Sequence, residues 1–217
     1  MKNMCVKALT IVTLISSLSF SLFSQAMTGA NGHFTVELGP IKLGDVIMES
    51  SCNESVCSYE TRIKGSFMFI SAKINENGTY KQTDQAIVPI TTNYAEKIGS
   101  KRKTYTYDFL NKTIQNKKNN KQTELPDNVY PFIPLINQVI LDLKLGGPQS
   151  HYEYLSKQKI KRATISAYTK KTTENGIIHH FIGKEKDDTL EFFFLDDGNQ
   201  IALEKIAFGS FHMSRKP

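Results

Sequence analysis

Asp45-Val46-Ile47-Met48-Glu49-Ser50-Ser51-Cys52-Asn53-Glu54-Ser55-Val56-Cys57-Ser58-Tyr59-Glu60-Thr61-Arg62-Ile63 is the stretch that decides the fold class. Asp45 to Ser51 and Val56 to Ile63 both read as strands, joined by a two-residue turn at Glu54-Ser55. That turn pairs Asn53 with Val56 and sets Cys52 directly opposite Cys57, as a non-hydrogen-bonded pair with Cα atoms about 4.5 Å apart. Such a spacing lies at the short end of the disulfide range. Buried free thiols and a two-Cys metal site are the other readings of the pair. The metal site lacks further cysteines and has no His within the loop, and we favour a structural disulfide. Its closed loop is short, so its stabilisation is modest, about 1–3 kcal/mol.

Outward from this hairpin, strand signals dominate. Phe34, Val36 and Leu38 alternate with polar partners, and Ile41-Lys42-Leu43 resumes after Gly39-Pro40. Ser66 to Ile70 reads as a strand apolar on both faces, and Asn77-Gly78 as a hairpin turn. Strand character continues over Tyr80 to Ile90 and Thr91 to Ile98. In Lys103 to Phe109, Tyr105, Tyr107 and Phe109 share one face. Later strands are expected over Tyr152 to Tyr168, Ile177 to Lys184, Thr189 to Leu195 and Gln200 to Met213, with turn signals at Asn175-Gly176 and Asp197-Gly198. The run Phe192-Phe193-Phe194 reads as a central strand buried on both faces.

One segment breaks the alternation. Apolar groups at 132, 135, 136, 139, 140 and 143 recur at the helical period, with Pro134 suited to the first helical position and Gly146 to the stop. The expected fold class is therefore mainly β: a single curved antiparallel sheet or open barrel, with one central helix packed against it.

The first 26 residues have a different character. Lys2 and Lys7 precede a 16-residue apolar run from Ala8 to Phe23, broken only by Ser and Thr, and Ser24-Gln25-Ala26 supplies a small-residue cleavage signature. Residues 1–26 read as a signal peptide cut between Ala26 and Met27. The run is shorter than the roughly 20 residues a spanning helix needs, so a membrane anchor is not expected. Cys5 lies too early to be a lipid-attachment site. Its loss leaves an even pair, Cys52 and Cys57, suited to an oxidising compartment. Residues 27–217 then form a single periplasmic β-rich domain.

Composition bounds the function. The chain has 217 residues, 40% of them hydrophobic and 22% charged, with 13 Phe, 9 Tyr and no Trp. Removing the leader lowers the formal charge from +6 to +4. That surplus is too small and too scattered for a nucleic-acid-binding protein.

No constellation of catalytic, cofactor or metal residues stands out. His179 and His180 are strand neighbours and point to opposite faces, so they cannot share a metal unaided. Asp187-Asp188 and Asp196-Asp197 sit beside turns, where Asp bonds its own backbone. No Gly-x-Ser-x-Gly elbow or phosphate loop is present. Lys101-Arg102-Lys103 and the group Lys157, Lys159, Lys161 and Arg162 form basic clusters. These suit a solvated face or edge guard; anionic head groups or acidic polysaccharide are the sharper alternative. Asn53, Asn77 and Asn111 each begin an Asn-x-Ser/Thr triplet, which matters only in a eukaryotic secretory route.

Phe34 to Gly44, Tyr105-Thr106-Tyr107-Asp108-Phe109, Leu125-Pro126 and Leu195-Asp196-Asp197-Gly198 together resemble the "domain of unknown function 3108" family of proteobacterial periplasmic proteins. The resemblance spans nearly all of 33–213. It departs from the family pattern before the helix, where this chain has Tyr130-Pro131-Phe132. It implies a curved antiparallel sheet in the periplasm and supplies no catalytic residue. An apolar helix against a concave aromatic-lined sheet is also similar in layout to periplasmic lipoprotein- and lipid-carrier proteins, an analogy of architecture alone.

Three functions follow as expectations. The first is a non-enzymatic binding or envelope-assembly protein whose concave face takes a lipid or an envelope polymer. The second is an interaction domain docking on an envelope protein through an edge strand. The third is an envelope sugar or peptide hydrolase, which requires at least two of His33, His151, His179, His180, Asp196 and Asp197 to converge in a cleft.

Overall fold

The computed structural model describes residues 29–67, 70–156, 159–186 and 188–217. The signal peptide with its Ala26–Met27 cleavage step, and Lys157 and Asp187, lie outside the described residues. In chain order the strands are β1 (Gly32–Leu38), β2 (Ile41–Asn53), β3 (Val56–Phe67), β4 (Ile70–Gln82), β5 (Ile87–Ile98), β6 (Lys101–Asp108), β7 (Thr113–Asn116), β8 (Gln122–Glu124) and β9 (Val129–Tyr130). Helix α1 (Phe132–Lys144) follows, then β10 (His151–Ser156), β11 (Lys159–Thr173), β12 (Gly176–Glu185), β13 (Asp188–Asp196), β14 (Ile201–Phe208) and β15 (Phe211–Arg215).

All 15 strands form one open, curved sheet in the order β8-β7-β6-β5-β4-β3-β2-β1-β15-β14-β13-β12-β11-β10-β9. Every neighbouring pair is antiparallel except β9 and β10, which are parallel because α1 crosses over between them. The two outermost strands, β8 and β9, are separated by only residues 125–128. A chain that short reaches about 17 Å, so the sheet curls back towards itself without closing.

The cysteine hairpin forms as its spacing dictates. Asn53 pairs with Val56 and Cys52 with Cys57; the two sulfurs are bonded, with Cα atoms 3.9 Å apart, closer than the 4.5 Å of an ordinary pair. Four other expectations are corrected. Asn77-Gly78 is not a turn: β4 runs straight through it, and the reversal falls instead between Phe67 and Ile70, which pair. Residues 152–168 and 200–213 are each two strands. They reverse between Ser156 and Lys159 and at Gly209, whose φ is +57°. Each two-residue reversal switches the inward positions between even and odd numbers, from Tyr152 to Ala163 and from Phe208 to Phe211. Fourth, Phe192 and Phe194 are buried, but Phe193 faces outward, half-covered by a parallel stack with His180 at 4.2 Å.

Gly78 has a packing role. A Cβ there would lie 2.1 Å from the Thr91 carbonyl oxygen and 2.9 Å from the Tyr59 ring. Strands β4 and β5 approach too closely at this point for any side chain, as glycine within a strand often signals. Gly78→Ala is expected to cost about 2–3 kcal/mol. It would be seen as a lower urea midpoint with unchanged m-value.

Helix α1 lies in the concavity, with 11 of its 13 residues buried. It touches β3, β5, β10 and β14, and so both halves of the sheet. It begins two residues earlier than expected. Pro131 is the N-cap, and Pro134 sits inside the first turn, where its missing N–H is no loss. Gly146, at φ +127°, follows the end of the helix.

The helix is pinned by polar bonds as well as apolar contact. Gln138 Oε1 accepts the Ile87 N–H at 2.8 Å, and Asn137 donates to the Tyr80 hydroxyl at 2.9 Å. Asp142 accepts from Gln138 Nε2 (2.9 Å), Tyr152 hydroxyl (2.7 Å) and Gln149 Nε2 (3.1 Å).

Candidate binding site on the concave face

Strand direction divides the sheet into two ends. At the cysteine end lie the turns at 54–55, 174–175 and 197–200; at the opposite, distal end lie those at 39–40, 99–100 and 209–210. Helix α1 covers the middle and the cysteine end, where Gln138 and Asn137 meet the ends of β5 and β4. Among the described residues, the distal part of the inner face is left uncovered.

An apolar trough of about 340 Å³ occupies that uncovered part. Its floor is built from small inward positions, Gly44, Gly65 and Ala72, and its walls from Val36, Ile63 and Ile98. Gly44 and Gly65 are cross-strand partners, and a Cβ on Gly44 would sit 2.2 Å from the Lys64 carbonyl oxygen. The close strand contact is what keeps the floor deep. The volume falls at the lower end of the range of ligand pockets. A second apolar cavity, about 80 Å³, lies between α1 and the other half of the sheet, bordered by Leu135, Val139, Phe181, Phe192 and Ile206. It is too small for more than a few methylene groups, so the trough is the principal site.

The mouth of the trough is apolar too. Ile41, Leu38, Phe211 and Phe208 are successive cross-strand partners along β2, β1, β15 and β14. Ile70 and Ile98 continue the fringe on β4 and β5. Ile70 is 57% and Ile41 53% exposed. Soluble surfaces show single exposed apolar residues routinely, but a contiguous fringe around a concavity marks a contact surface.

Two buried carboxylates lie deeper on the same face. Glu76 accepts the Phe132 N–H at 3.1 Å and so caps the start of α1, whose own N-cap side chain makes no bond. Burial pushes its carboxyl up to about 7. Glu96 accepts from the Tyr94 hydroxyl at 2.9 Å. Tyr59, Tyr94 and Tyr107 surround them, their hydroxyls held above the ordinary phenol range chiefly by burial. Neither carboxylate borders the trough or the small cavity, and Glu76 is committed to holding the helix. We therefore read the cluster as a docking joint for α1.

The histidines and aspartates singled out in the sequence are mostly dispersed. His179 and His180 do point to opposite faces. His179 is buried, stacked on Tyr168, whose hydroxyl lies 2.8 Å from Nδ1; its Nε2 is 3.8 Å from Asp196. Burial first, and Lys170 second, lower its pKa. His180 is on the outer face, 2.9 Å from Glu191. His33 and His151 are exposed, and Asp197 bonds the backbone of its own turn. One pair of the six candidates thus converges, and it does not border the trough. No group of three or more His, Cys, Asp or Glu suited to a metal occurs among the described residues.

Sequence reading missed the trough and Glu76. Placing a turn at Asn77-Gly78 disguised Glu76, although Ile74, Glu76, Gly78 and Tyr80 alternate on one face, a signal that could have found it. No family model, curated protein or solved structure matches the chain. The resemblance to the periplasmic family rests on its sequence motifs alone. No helix among the described residues is long and apolar enough to cross a membrane.

Proposed function

We propose that this protein is a non-enzymatic, exported binding protein that holds the apolar part of a lipid against the uncovered distal portion of its concave sheet. The observation that carries this reading is the trough, walled by Val36, Ile63 and Ile98 and floored by glycine and alanine. So apolar a lining suits an acyl chain better than a polysaccharide, which would leave its hydroxyls unpaired there. The disulfide and the leader-like N-terminus support a location outside the cytoplasm, in the periplasm.

Docking through an edge strand draws less support. The two edges, β8 and β9, are three and two residues long, too short to template an added strand. A hydrolase reading is weakened by the dispersal of the histidines.

Titration with a naturally fluorescent polyunsaturated fatty acid tests the proposal. The wild-type protein is expected to bind it saturably, and Ala72→Phe, which fills the floor, to weaken binding about 10-fold or more while the unfolding midpoint holds. Undiminished affinity in Ala72→Phe, or saturable binding of soluble polysaccharide instead of lipid, would sink it.

A further inference from the structure

On the outer face, three strands of the trough and the adjoining β6 carry a row of cations set by register alone. Lys64 on β3 pairs with Lys73 on β4, Lys73 with Lys97 on β5, and Lys97 with Arg102 on β6. All four are exposed, and none has an ion-pair partner among the described residues. The acidic group in the same row, Asp45 opposite Lys64, is already engaged by Lys216 at 2.6 Å and Lys42 at 3.0 Å.

Neighbouring strands are about 4.8 Å apart, so four like charges stand side by side over about 15 Å. Like charges directly opposite one another destabilise a sheet. Mixed-sign pairs are the usual arrangement for solubility, so a run of one sign without acidic partners points to an anionic surface outside the molecule. Lys101 and Lys103 flank Arg102 on β6 but alternate to the inner face, opposite Ile98 and Glu96, and so stand outside the row.

The row also sits beside the apolar mouth. Lys97 adjoins Ile98, and Lys64 and Lys73 are each within three residues of the ends of β3 and β4. Ile41, Leu38, Phe211 and Phe208 lie on β2, β1, β15 and β14, nearer the distal rim than the continuation of this row through Asp45, Thr35 and Ser214. An apolar fringe with a shoulder of cations matches the layering of a bilayer surface, in which acyl chains lie beneath an anionic head-group layer. Lysine and arginine stems can lie along apolar surface while their heads reach the head groups.

We propose that the distal end is a docking face for the surface of an anionic lipid bilayer, with the Lys64–Lys73–Lys97–Arg102 row as its electrostatic contact. The proposal deepens the lipid-binding reading, because it points the trough mouth at the membrane. It can nonetheless fail separately.

Co-sedimentation of the mature protein with phosphatidylcholine vesicles, with and without phosphatidylglycerol, tests it. Binding is expected only to the phosphatidylglycerol vesicles, and to fall steeply with added salt. Changing all four residues to glutamine should lower partitioning on the order of 1,000-fold. The unfolding midpoint should hold or rise as the repulsion is relieved. A charge-matched variant, Lys81→Gln with Lys144→Gln, Lys170→Gln and Lys171→Gln, removes four exposed cations away from the distal end and should bind as wild type. Equal binding to neutral vesicles, wild-type binding by the row variant, or equal loss in the matched variant would each overturn the docking face. So would tight binding of a soluble acidic polysaccharide with no preference for vesicles. Fatty-acid titration of the row variant separates the two proposals: chain binding should survive there, while vesicle docking should survive in Ala72→Phe.

Discussion

Asp142→Leu is expected to lower the unfolding free energy by about 3–5 kcal/mol, a large share of the 5–15 kcal/mol typical of a domain. The side chain sits near the end of α1 and is buried. It accepts from Gln138, Gln149 and Tyr152, which belong to the helix, the following loop and β10. A leucine of similar size fills the space but leaves three donors without an acceptor, and an orphaned buried donor costs about 1–3 kcal/mol. The effect should spread beyond the site, because Gln138 also receives the Ile87 N–H at the start of β5. Asp142→Asn keeps one acceptor oxygen and should fall between the two. Urea unfolding at neutral pH measures this series, and a leucine variant within 1 kcal/mol of wild type would show that the network does not hold the helix.

The second large effect depends on pH. The Glu76 carboxyl is raised by burial from an ordinary 4.5 to about 7, opposed only by the Phe132 N–H it accepts. A folded-state value above the unfolded one means that the fold favours the protonated acid. The associated stability is complete below about pH 4.5 and is lost as pH rises through about 7. The gap corresponds to about 3 kcal/mol. Glu76→Gln retains an oxygen for Phe132 and removes the charge. At pH 8 it should therefore be more stable than wild type by up to about 3 kcal/mol, and near pH 4.5 the two should coincide. The difference between the two proteins isolates this group. His179, held low, destabilises both as pH falls through its ordinary range. Asp45, Asp108, Glu185 and Asp197, held below the carboxylate range, act in both at still lower pH. Parallel stability curves for the two proteins between pH 4.5 and 8 would refute the assignment.

Local chemistry made much of this architecture legible. The Cys52–Cys57 register follows from a two-residue turn and a period of two, both written in contiguous residues. The helix declared itself because six apolar positions keep the helical period and Gly146 ends it. What failed was punctuation. Asn77-Gly78 has the composition of a turn, but its glycine is there to admit Tyr59 and the Thr91 carbonyl. The true reversals at 67–70 and 156–159 carry no such signal. Phe193 looked buried because its neighbours are, and only the His180 stack shows how an outward phenylalanine is shielded. The candidate site was harder still. Its floor is defined by which small residues face each other across strands, and the cation row joins positions 64, 73, 97 and 102, which no local pattern relates.

The order of the sheet has a consequence for how the chain must assemble. Strand β1 pairs with β15, and the Lys216 N–H bonds the His33 carbonyl, so residues about 180 apart in sequence meet in the middle of the sheet. The outermost strands come instead from the middle of the chain. Followed around from β10 through β15 and on from β1 to β8, the strands run as one meander broken only by the step from β15 to β1, with β9 added in parallel at one edge. Hairpins on either side can form from local contacts, but the join between them waits for the final strand and closes a loop of nearly the whole chain. Until then β1 and β14 are open edges, vulnerable to pairing with another copy. Assembly is thus a race between one long-range closure and intermolecular strand exchange. A permuted chain, cut between β8 and β9 and linked from β15 to β1, would convert that closure into an ordinary hairpin.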